Sequence, residues 1–223
     1  MKRILEPEVM DTIEEAKAYD AMNFLEVNTA FVDRLIDLGV ADGHFLDLGT
    51  GTARIPIILA KRVPNIQITA IDLSSNMLNI GQEHVNKAKL TDRISLEKAD
   101  AKNLPYKNQS FDGVFSNSII HHIPDPSSVI LEIERVLKPQ GLLYIQDLLR
   151  LESTMAIEKI VDTYAKEDTQ YQRKLFRDSL FAALTTDEVE TMINKTGVTH
   201  AKVFQTSDRH WSIERGFQNL SIC

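Results

Sequence analysis

Short hydrophobic runs alternate with amphipathic segments through the middle of the chain. Five runs rich in β-branched and aromatic residues predict strands at 44–48, 66–73, 93–100, 111–117 and 141–149. Between them, apolar residues recur at helical spacing and predict helices at 52–63, 74–90 and 126–138. Because strands that alternate with helices are joined by crossover connections, the pattern predicts an α/β fold built on a parallel sheet.

Two helical regions and a closing pair of β-rich runs lie outside this alternation. Segment 11–38 places Phe24, Val27, Phe31, Leu35 and Leu38 on one helical face, and segment 150–195 is helical and precedes the closing pair. In open α/β sheets, ligands bind at the carboxyl ends of the strands. We therefore expect one domain over 1–223, with a helical lid at 1–40 and a helical substrate cap at 150–195.

Composition and charge narrow the class of partner. The chain has 25 Lys and Arg against 32 Asp and Glu, a net charge of −7, which disfavours a nucleic-acid partner. No run of about 18 apolar residues occurs, and acids stand where a signal peptide needs an apolar run, so we expect a cytoplasmic protein without a membrane partner. The single cysteine, Cys223, excludes an intrachain disulfide. Nothing in the sequence indicates an oligomeric state.

The stretch HFLDLGTGTARIPIILA, residues 44–60, runs from a predicted strand through a glycine turn into a predicted helix. Gly49 and Gly51 permit positive φ and let a ligand approach the backbone closely. A phosphate-binding loop would continue into Gly-Lys-Ser or Gly-Lys-Thr, which is absent. The dinucleotide fingerprint is broken too, because Arg54 stands where its third glycine belongs. A plain strand-to-helix turn remains an alternative.

An acid at the end of the first predicted strand argues further against a phosphate-containing ligand at the glycine turn. Asp47 suits a cation or an ammonium group better than a pyrophosphate. The stretch DLGTGTA resembles the first motif of class I S-adenosylmethionine-dependent methyltransferases, with Ala53 in place of the usual third glycine. The resemblance implies S-adenosyl-L-methionine as cofactor and S-adenosyl-L-homocysteine as product. It places the amino-acid end of the cofactor at Asp47, Gly49, Thr50 and Gly51.

Later strand ends match the same family in order. Asp72 closes the second strand and could accept both ribose hydroxyls, as an acid there also does in dinucleotide-binding proteins. The segment KADAKNLPY would offer Asp100 and the backbone of Ala101 to the adenine. Two further stretches, 111–126 and 135–147, resemble the quinone- and sterol-biosynthesis-type branch, whose members methylate small molecules.

The resemblance implies a Rossmann-like fold: a seven-stranded, mostly parallel sheet with an antiparallel last strand and helices on both faces. It also assigns four further cofactor contacts, some with a structural alternative. Asn117 would contact the methionine moiety. Met77 would lie against the adenine or in the core, and Tyr19 would fold over the cofactor or simply belong to an amphipathic helix. Leu73 follows the ribose-binding acid directly.

Methyl transfer is an in-line displacement that needs mainly alignment and exclusion of water. His121 and His122 are candidate general bases, although both imidazoles could instead satisfy backbone groups or pack against the cofactor. Three arginines, at 150, 173 and 177, suggest an anionic substrate, although charged residues on helices usually belong to a solvated face. We predict substrate contacts at Asp147, Arg150, Arg177 and His210.

Other kinds of methyltransferase lack their required residues here. Cys223 is poorly placed as a nucleophile, and SNSIIHH replaces the motif of amino-directed DNA enzymes. Asn117 and Asp147 do not supply the acid cluster of metal-dependent enzymes, so we predict no metal. The leading hypothesis is S-adenosylmethionine-dependent methylation of a small molecule at an O, N, S or C atom. The alternatives are a non-catalytic S-adenosylmethionine-binding regulatory protein and a nucleotide-dependent oxidoreductase.

Overall fold

The computed structural model describes residues 1–6 and 12–217. Its strands are β1 (Asp42–Leu48), β2 (Asn65–Asp72), β3 (Ile94–Lys98), β4 (Phe111–Asn117), β5 (Leu137–Leu148), β6 (Lys202–Gln205) and β7 (His210–Arg215). Its helices are α1 (Ile13–Asp20), α2 (Leu25–Asp37), α3 (Arg54–Arg62), α4 (Ser75–Ala88), α5 (Ser127–Val136), α6 (Thr154–Tyr164), α7 (Gln170–Ala182) and α8 (Thr186–Thr196), with a 3₁₀ turn at Ile120–His122. Cys223 lies outside the described residues.

The strands form one sheet in the order β3-β2-β1-β4-β5-β7-β6. Strands β1 to β5 pair in parallel, and β7 pairs antiparallel with both β5 and β6. This confirms the predicted fold, a mostly parallel seven-stranded sheet with an antiparallel last strand. The strand order reverses between β1 and β4, and such a switch point opens a crevice at the carboxyl edge of the sheet.

Helices cover both faces of the sheet, which is why the central strands are almost continuously apolar. On one face, α5 and α8 bury Val129, Ile133 and Val189 against β4, β5 and β7. On the other, α2, α3 and α4 bury a second cluster that includes Phe31 and Leu59. A smaller third cluster joins α6 and α7.

The predicted lid and cap each contain two kinds of element. Within 1–40, α2 belongs to the layer on the sheet, whereas α1 contacts α4 near the carboxyl edge. Within 150–195, α8 packs on α5, whereas α6 and α7 pack on each other. The division into a lid and a cap stays a prediction.

Residues 1–6, which we call the N-terminal strap, lie between the end of α7 and the 3₁₀ turn. The Arg3 guanidinium donates to the carbonyl oxygens of Ala182, His121, Ile123 and Pro124 over 2.6–3.0 Å. The Ile4 amide donates to the Phe181 carbonyl at 3.0 Å.

In the described part of the chain, every helix is too short or too polar to cross a bilayer. A cytoplasmic location stays a prediction.

Candidate functional site

A cleft opens at the carboxyl edge of the sheet, beside the ends of β1, β2 and β4. It contains about 790 Å³ of empty space, open solvent included. Nine of the eleven predicted cofactor residues line it: Tyr19, Gly49, Gly51, Asp72, Leu73, Met77, Asp100, Ala101 and Asn117. The other two, Asp47 and Thr50, line an adjoining cavity that also contacts Tyr19, Gly49 and Asn117. Their binding roles stay predictions.

The backbone conformation of the loop after β1 explains why glycine or a small residue occupies several of its positions. Gly49 has φ +70°, and a Cβ added there would lie 1.9 Å from Ile119 Cγ2. Gly51 has φ +55°, and its added Cβ would lie 3.5 Å from Tyr19 Cε1. Ala53, at the family's third glycine position, also adopts a left-handed conformation, with φ 60°. The loop thus needs glycine or a small residue for its turn and for close packing.

Asp72 fixes the glycine loop to the start of α4. Its two carboxylate oxygens accept hydrogen bonds from the amides of Gly51, at 2.9 Å, and Ser74, at 2.8 Å. Burial raises the pKa of Asp72 despite these bonds. Each oxygen has a second lone pair, so the side chain keeps acceptor capacity for hydroxyl groups in the cleft.

Asp47 is a buried acid with unused hydrogen-bonding capacity. Its Oδ2 atom accepts no hydrogen bond from any described residue. Burial raises its pKa to about 7, and the Asp72 charge adds to the shift. Because a buried carboxylate without a partner is costly, this atom would be stabilised by a cation beside it.

Tyr19 closes the cleft from the side of α1. Burial raises its pKa to about 12, and the nearby Asp72 carboxylate adds to the shift. The phenol is therefore neutral and can donate a hydrogen bond. Arg54 holds α1 in place, since its guanidinium lies 2.8 Å from Asp20 Oδ1 and also donates to the Asp20 carbonyl. The sequence offered no signal for this ion pair.

Asp100 follows β3 and is half-buried at the cleft. Its Oδ1 atom accepts from the Lys102 amide at 2.9 Å and lies 3.0 Å from the Lys102 ammonium. These contacts orient the carboxylate and partly neutralise it. Ala101 beside it is buried, so its backbone forms part of the cleft wall.

The two histidines of the 3₁₀ turn differ in environment. His122 lines the cleft, whereas His121 is buried behind it, with its Nδ1 atom 2.5 Å from Asp147 Oδ1. Asp147 also accepts the amides of Ile120 and Leu148, each at 2.6 Å. Burial opposes protonation of His121, but the Asp147 carboxylate outweighs it and raises the imidazole pKa. Of the two predicted bases, the geometry favours His122.

The residues predicted to contact substrate lie away from the cleft lining. Asp147 is occupied by His121, and Arg150 is buried with its guanidinium on the Ala183 carbonyl and 2.5 Å from Glu188. Arg177 makes a bidentate pair with Glu158 at 2.6 and 2.7 Å. His210 lies 2.9 Å from Ser207 Oγ, and burial lowers its pKa to about 4. Their roles in substrate binding stay predictions that the contacts do not favour.

Sequence reasoning missed the N-terminal strap. Glu6 Oε1 lies 3.1 Å from His122 Nδ1 and 3.5 Å from His121 Nε2. Ser118, Ile119 and Ile123 line the same end of the cleft and were also not predicted. The strap carries no motif, and its partners lie more than a hundred residues away, so no local pattern could reveal these contacts.

The fold and the cleft define a Rossmann-like protein with an open crevice beside the loop after β1. A family model described as "Methyltransferase domain" matches residues 40–197, and the chain belongs to this family. This confirms the predicted class, the S-adenosylmethionine-dependent methyltransferases, and with it the predicted cofactor.

Relatives and solved structures agree with the assignment. The chain is 30% identical to 27-O-demethylrifamycin SV methyltransferase of Amycolatopsis mediterranei, over 78% of this chain and 61% of that protein. It is 28% identical to demethylmenaquinone methyltransferase of Thermotoga maritima, over 82% and 83%. A solved structure of Haemonchus contortus phosphoethanolamine N-methyltransferase 2 with S-adenosyl-L-methionine has a TM-score of 0.68 at 24% identity, over 87% of this chain and 44% of that one. The chain spans 40 to 61% of the length of several curated relatives.

Proposed function

We propose that this protein transfers the methyl group of S-adenosyl-L-methionine to a small-molecule acceptor. The observation that carries the proposal is the cleft at the switch point. It gathers the ends of β1, β2 and β4, the loop after β3 and the cover of α1. The family assignment supports the same reaction.

We match each part of the cofactor with the cleft residues whose chemical groups would bind it. The backbone of Gly49, Thr50 and Gly51 would receive the amino-acid end, and the free oxygen of Asp47 would face its ammonium. Asp72 would accept the ribose hydroxyls. Asp100 and Ala101 would bind the adenine, Met77 and Leu73 would pack against it, Asn117 would contact the methionine moiety, and Tyr19 would cover it.

The acceptor would approach from the end of the cleft lined by Ile119, His122 and Ile123. These two isoleucines favour a molecule with an apolar part and help to exclude water from the sulfonium. In-line transfer then needs mainly alignment, with His122 nearby where the acceptor must lose a proton. Given the net charge of −7, we propose neither nucleic acid nor a membrane as partner.

Binding and turnover test the proposal separately. In isothermal titration, S-adenosyl-L-methionine and S-adenosyl-L-homocysteine should bind, and NAD should not; binding of NAD alone would favour the oxidoreductase. The protein is then incubated with methyl-labelled cofactor and metabolite extracts. A labelled product supports transfer, whereas tight cofactor binding without product in any extract would favour a regulatory binder.

A further inference from the structure

Three potential ligand atoms converge beside the cleft, in a cluster of which the methyl-transfer proposal uses only His122. The cluster consists of Glu6, on the N-terminal strap, and His121 and His122, on the 3₁₀ turn. One ligand atom of each residue lies within 4.8 Å of those of the other two, and Glu6 Oε1 lies 3.5 Å from His121 Nε2 and 3.1 Å from His122 Nδ1. The side chains are 10, 3 and 18% exposed, so the cluster is largely sheltered from water. We call it the Glu6–His cluster.

The hydrogen bond between His121 and Asp147 orients the His121 ring so that its Nε2 atom faces Glu6 Oε1. His121 Nδ1 lies 2.5 Å from Asp147 Oδ1, and the carboxylate also receives two backbone amides. A neutral His121 would therefore donate from Nδ1 and present the lone pair of Nε2 towards Glu6 Oε1. That oxygen is buried and accepts no hydrogen bond from any described residue. Either a proton on Nε2 or a metal ion between the two atoms would satisfy them, and only a metal ion would also use His122 Nδ1, 3.1 Å from the same oxygen, as a ligand.

The spacing fits a metal ion. Zinc lies about 2.0–2.1 Å from nitrogen and oxygen ligands, so two ligands of a tetrahedral site lie about 3.3 Å apart. The two distances from Glu6 Oε1 to the imidazole nitrogens, 3.1 and 3.5 Å, bracket this value. Glu6 is also oriented from behind, because its second oxygen accepts from Ser179 Oγ at 3.3 Å.

We propose that Glu6, His121 and His122 bind one divalent transition-metal ion. Two imidazole nitrogens and one carboxylate oxygen suit Zn²⁺, Co²⁺ and similar ions rather than Mg²⁺ or Ca²⁺. Asp147 would act as the outer partner that fixes the His121 ring, as carboxylates do behind metal-bound histidines. Since His122 also lines the cleft, the ion would lie at the cleft edge and tie the strap to the 3₁₀ turn.

Direct metal binding tests this site independently of methyl transfer. The protein, without a histidine tag and stripped with a chelator, is titrated with Zn²⁺ by calorimetry and with Co²⁺ by visible absorption. We expect one ion per chain and the absorption bands of Co²⁺ with nitrogen and oxygen ligands at low coordination number. Glu6→Gln and His122→Gln should abolish saturable binding, and Asp147→Asn should weaken it about 10- to 100-fold.

Matched variants separate this site from unspecific binding. Glu167 and His200 are exposed, so Glu167→Gln and His200→Asn should bind the ion like the unmodified protein. The thermal transition in metal-free buffer shows whether each variant is folded, and His122→Gln, at a partly exposed position, is the safest of the ligand variants. No saturable binding of Zn²⁺ or Co²⁺, or binding that survives in a folded His122→Gln, would overturn the proposal and leave a plain ion pair at the cluster.

Discussion

At the scale of single residues, Gly49 is held by two constraints at once. Its φ of +70° costs a residue with a Cβ about 1–2 kcal/mol. The added Cβ would also overlap Ile119 Cγ2, at 1.9 Å, so Ile119 or the loop must move. We predict that Gly49→Ala lowers the free energy of unfolding by about 3 kcal/mol in urea titrations.

Gly197 offers the matched control for this variant. Its φ is +75°, but no atom lies within 4 Å of an added Cβ. Gly197→Ala should therefore cost only the backbone contribution, about 1 kcal/mol. In a background that already carries Ile119→Ala, Gly49→Ala should lower the free energy of unfolding by less than it does in the unmodified protein. Equal costs for Gly49→Ala and Gly197→Ala would show that the contact with Ile119 is unimportant.

Asp47 is a residue whose proposed role in binding the cofactor opposes the stability of the fold. Burial raises its folded pKa to about 7, so stability present below pH 4 is lost as the pH rises to 7. Asp47→Asn removes this loss. The variant should exceed the unmodified protein in stability by an amount that grows from pH 4 to 7 and reaches up to about 4 kcal/mol. It should also bind S-adenosyl-L-methionine at least about tenfold more weakly.

The control for Asp47 is Asp112, an acid whose pKa is shifted in the opposite direction. Burial opposes ionisation of Asp112, but hydrogen bonds from the His44 amide and the Lys138 ammonium outweigh it and lower its pKa. Asp112→Asn should therefore be less stable than the unmodified protein at pH 7, with the difference shrinking in acid. Urea titrations from pH 4 to 8 measure both variants. A pH-independent effect of Asp47→Asn would contradict its raised pKa.

At this scale, the sequence predicted which residues of a short motif would lie together at the cleft and its adjoining cavity. Asp47, Gly49 and Asp72 were found because strand, turn and helix follow one another in the chain. Arg150 stays an untested substrate candidate, but the sequence could not show that Glu188 already pairs with it in the fold. Charge and spacing do not say whether a side chain already has a partner.

At the scale of elements, the N-terminal strap depends on one side chain. Arg3 donates to four carbonyl oxygens on two separate elements, and charged hydrogen bonds contribute about 1.5–3 kcal/mol each when buried. We predict that Arg3→Ala releases the strap and speeds exchange of the Ile4 amide hydrogen at least about tenfold. Hydrogen-exchange mass spectrometry measures this, with the exposed Lys2→Ala as control. Unchanged exchange at Ile4 would mean that Arg3 does not hold the strap.

Strands and helices were predictable from the sequence where hydrophobic residues recur at a regular spacing. The strands from 44 to 149 and the three helices between them follow from hydrophobic spacing, because each must bury a defined face. The assignment of α2 to the sheet layer was not predictable, although Phe31 and Leu35 do form its buried face. A helical face shows that a helix packs, but not which neighbour it packs against.

At the scale of the whole molecule, the sheet order gathers the proposed cofactor contacts at one edge of the sheet. Because β1 is flanked by β2 and β4, residues that are distant in sequence share one crevice. A ligand that fills this crevice links several segments and binds only the folded state. Cofactor binding should therefore raise the stability of the whole domain rather than of one loop.

The size of this effect is predictable from mass action. At a concentration about 100 times its Kd, a ligand stabilises the folded state by about 2.7 kcal/mol. For a chain of 223 residues, that corresponds to a rise in Tm of about 5–10 °C. S-adenosyl-L-methionine and S-adenosyl-L-homocysteine should both produce it in thermal-shift assays, and NAD should not. Asp112→Asn, away from the cleft, should keep the shift, whereas Asp47→Asn should reduce it. A shift with NAD but not with S-adenosyl-L-homocysteine would refute the cofactor site, because the two ligands place different groups on the loop after β1.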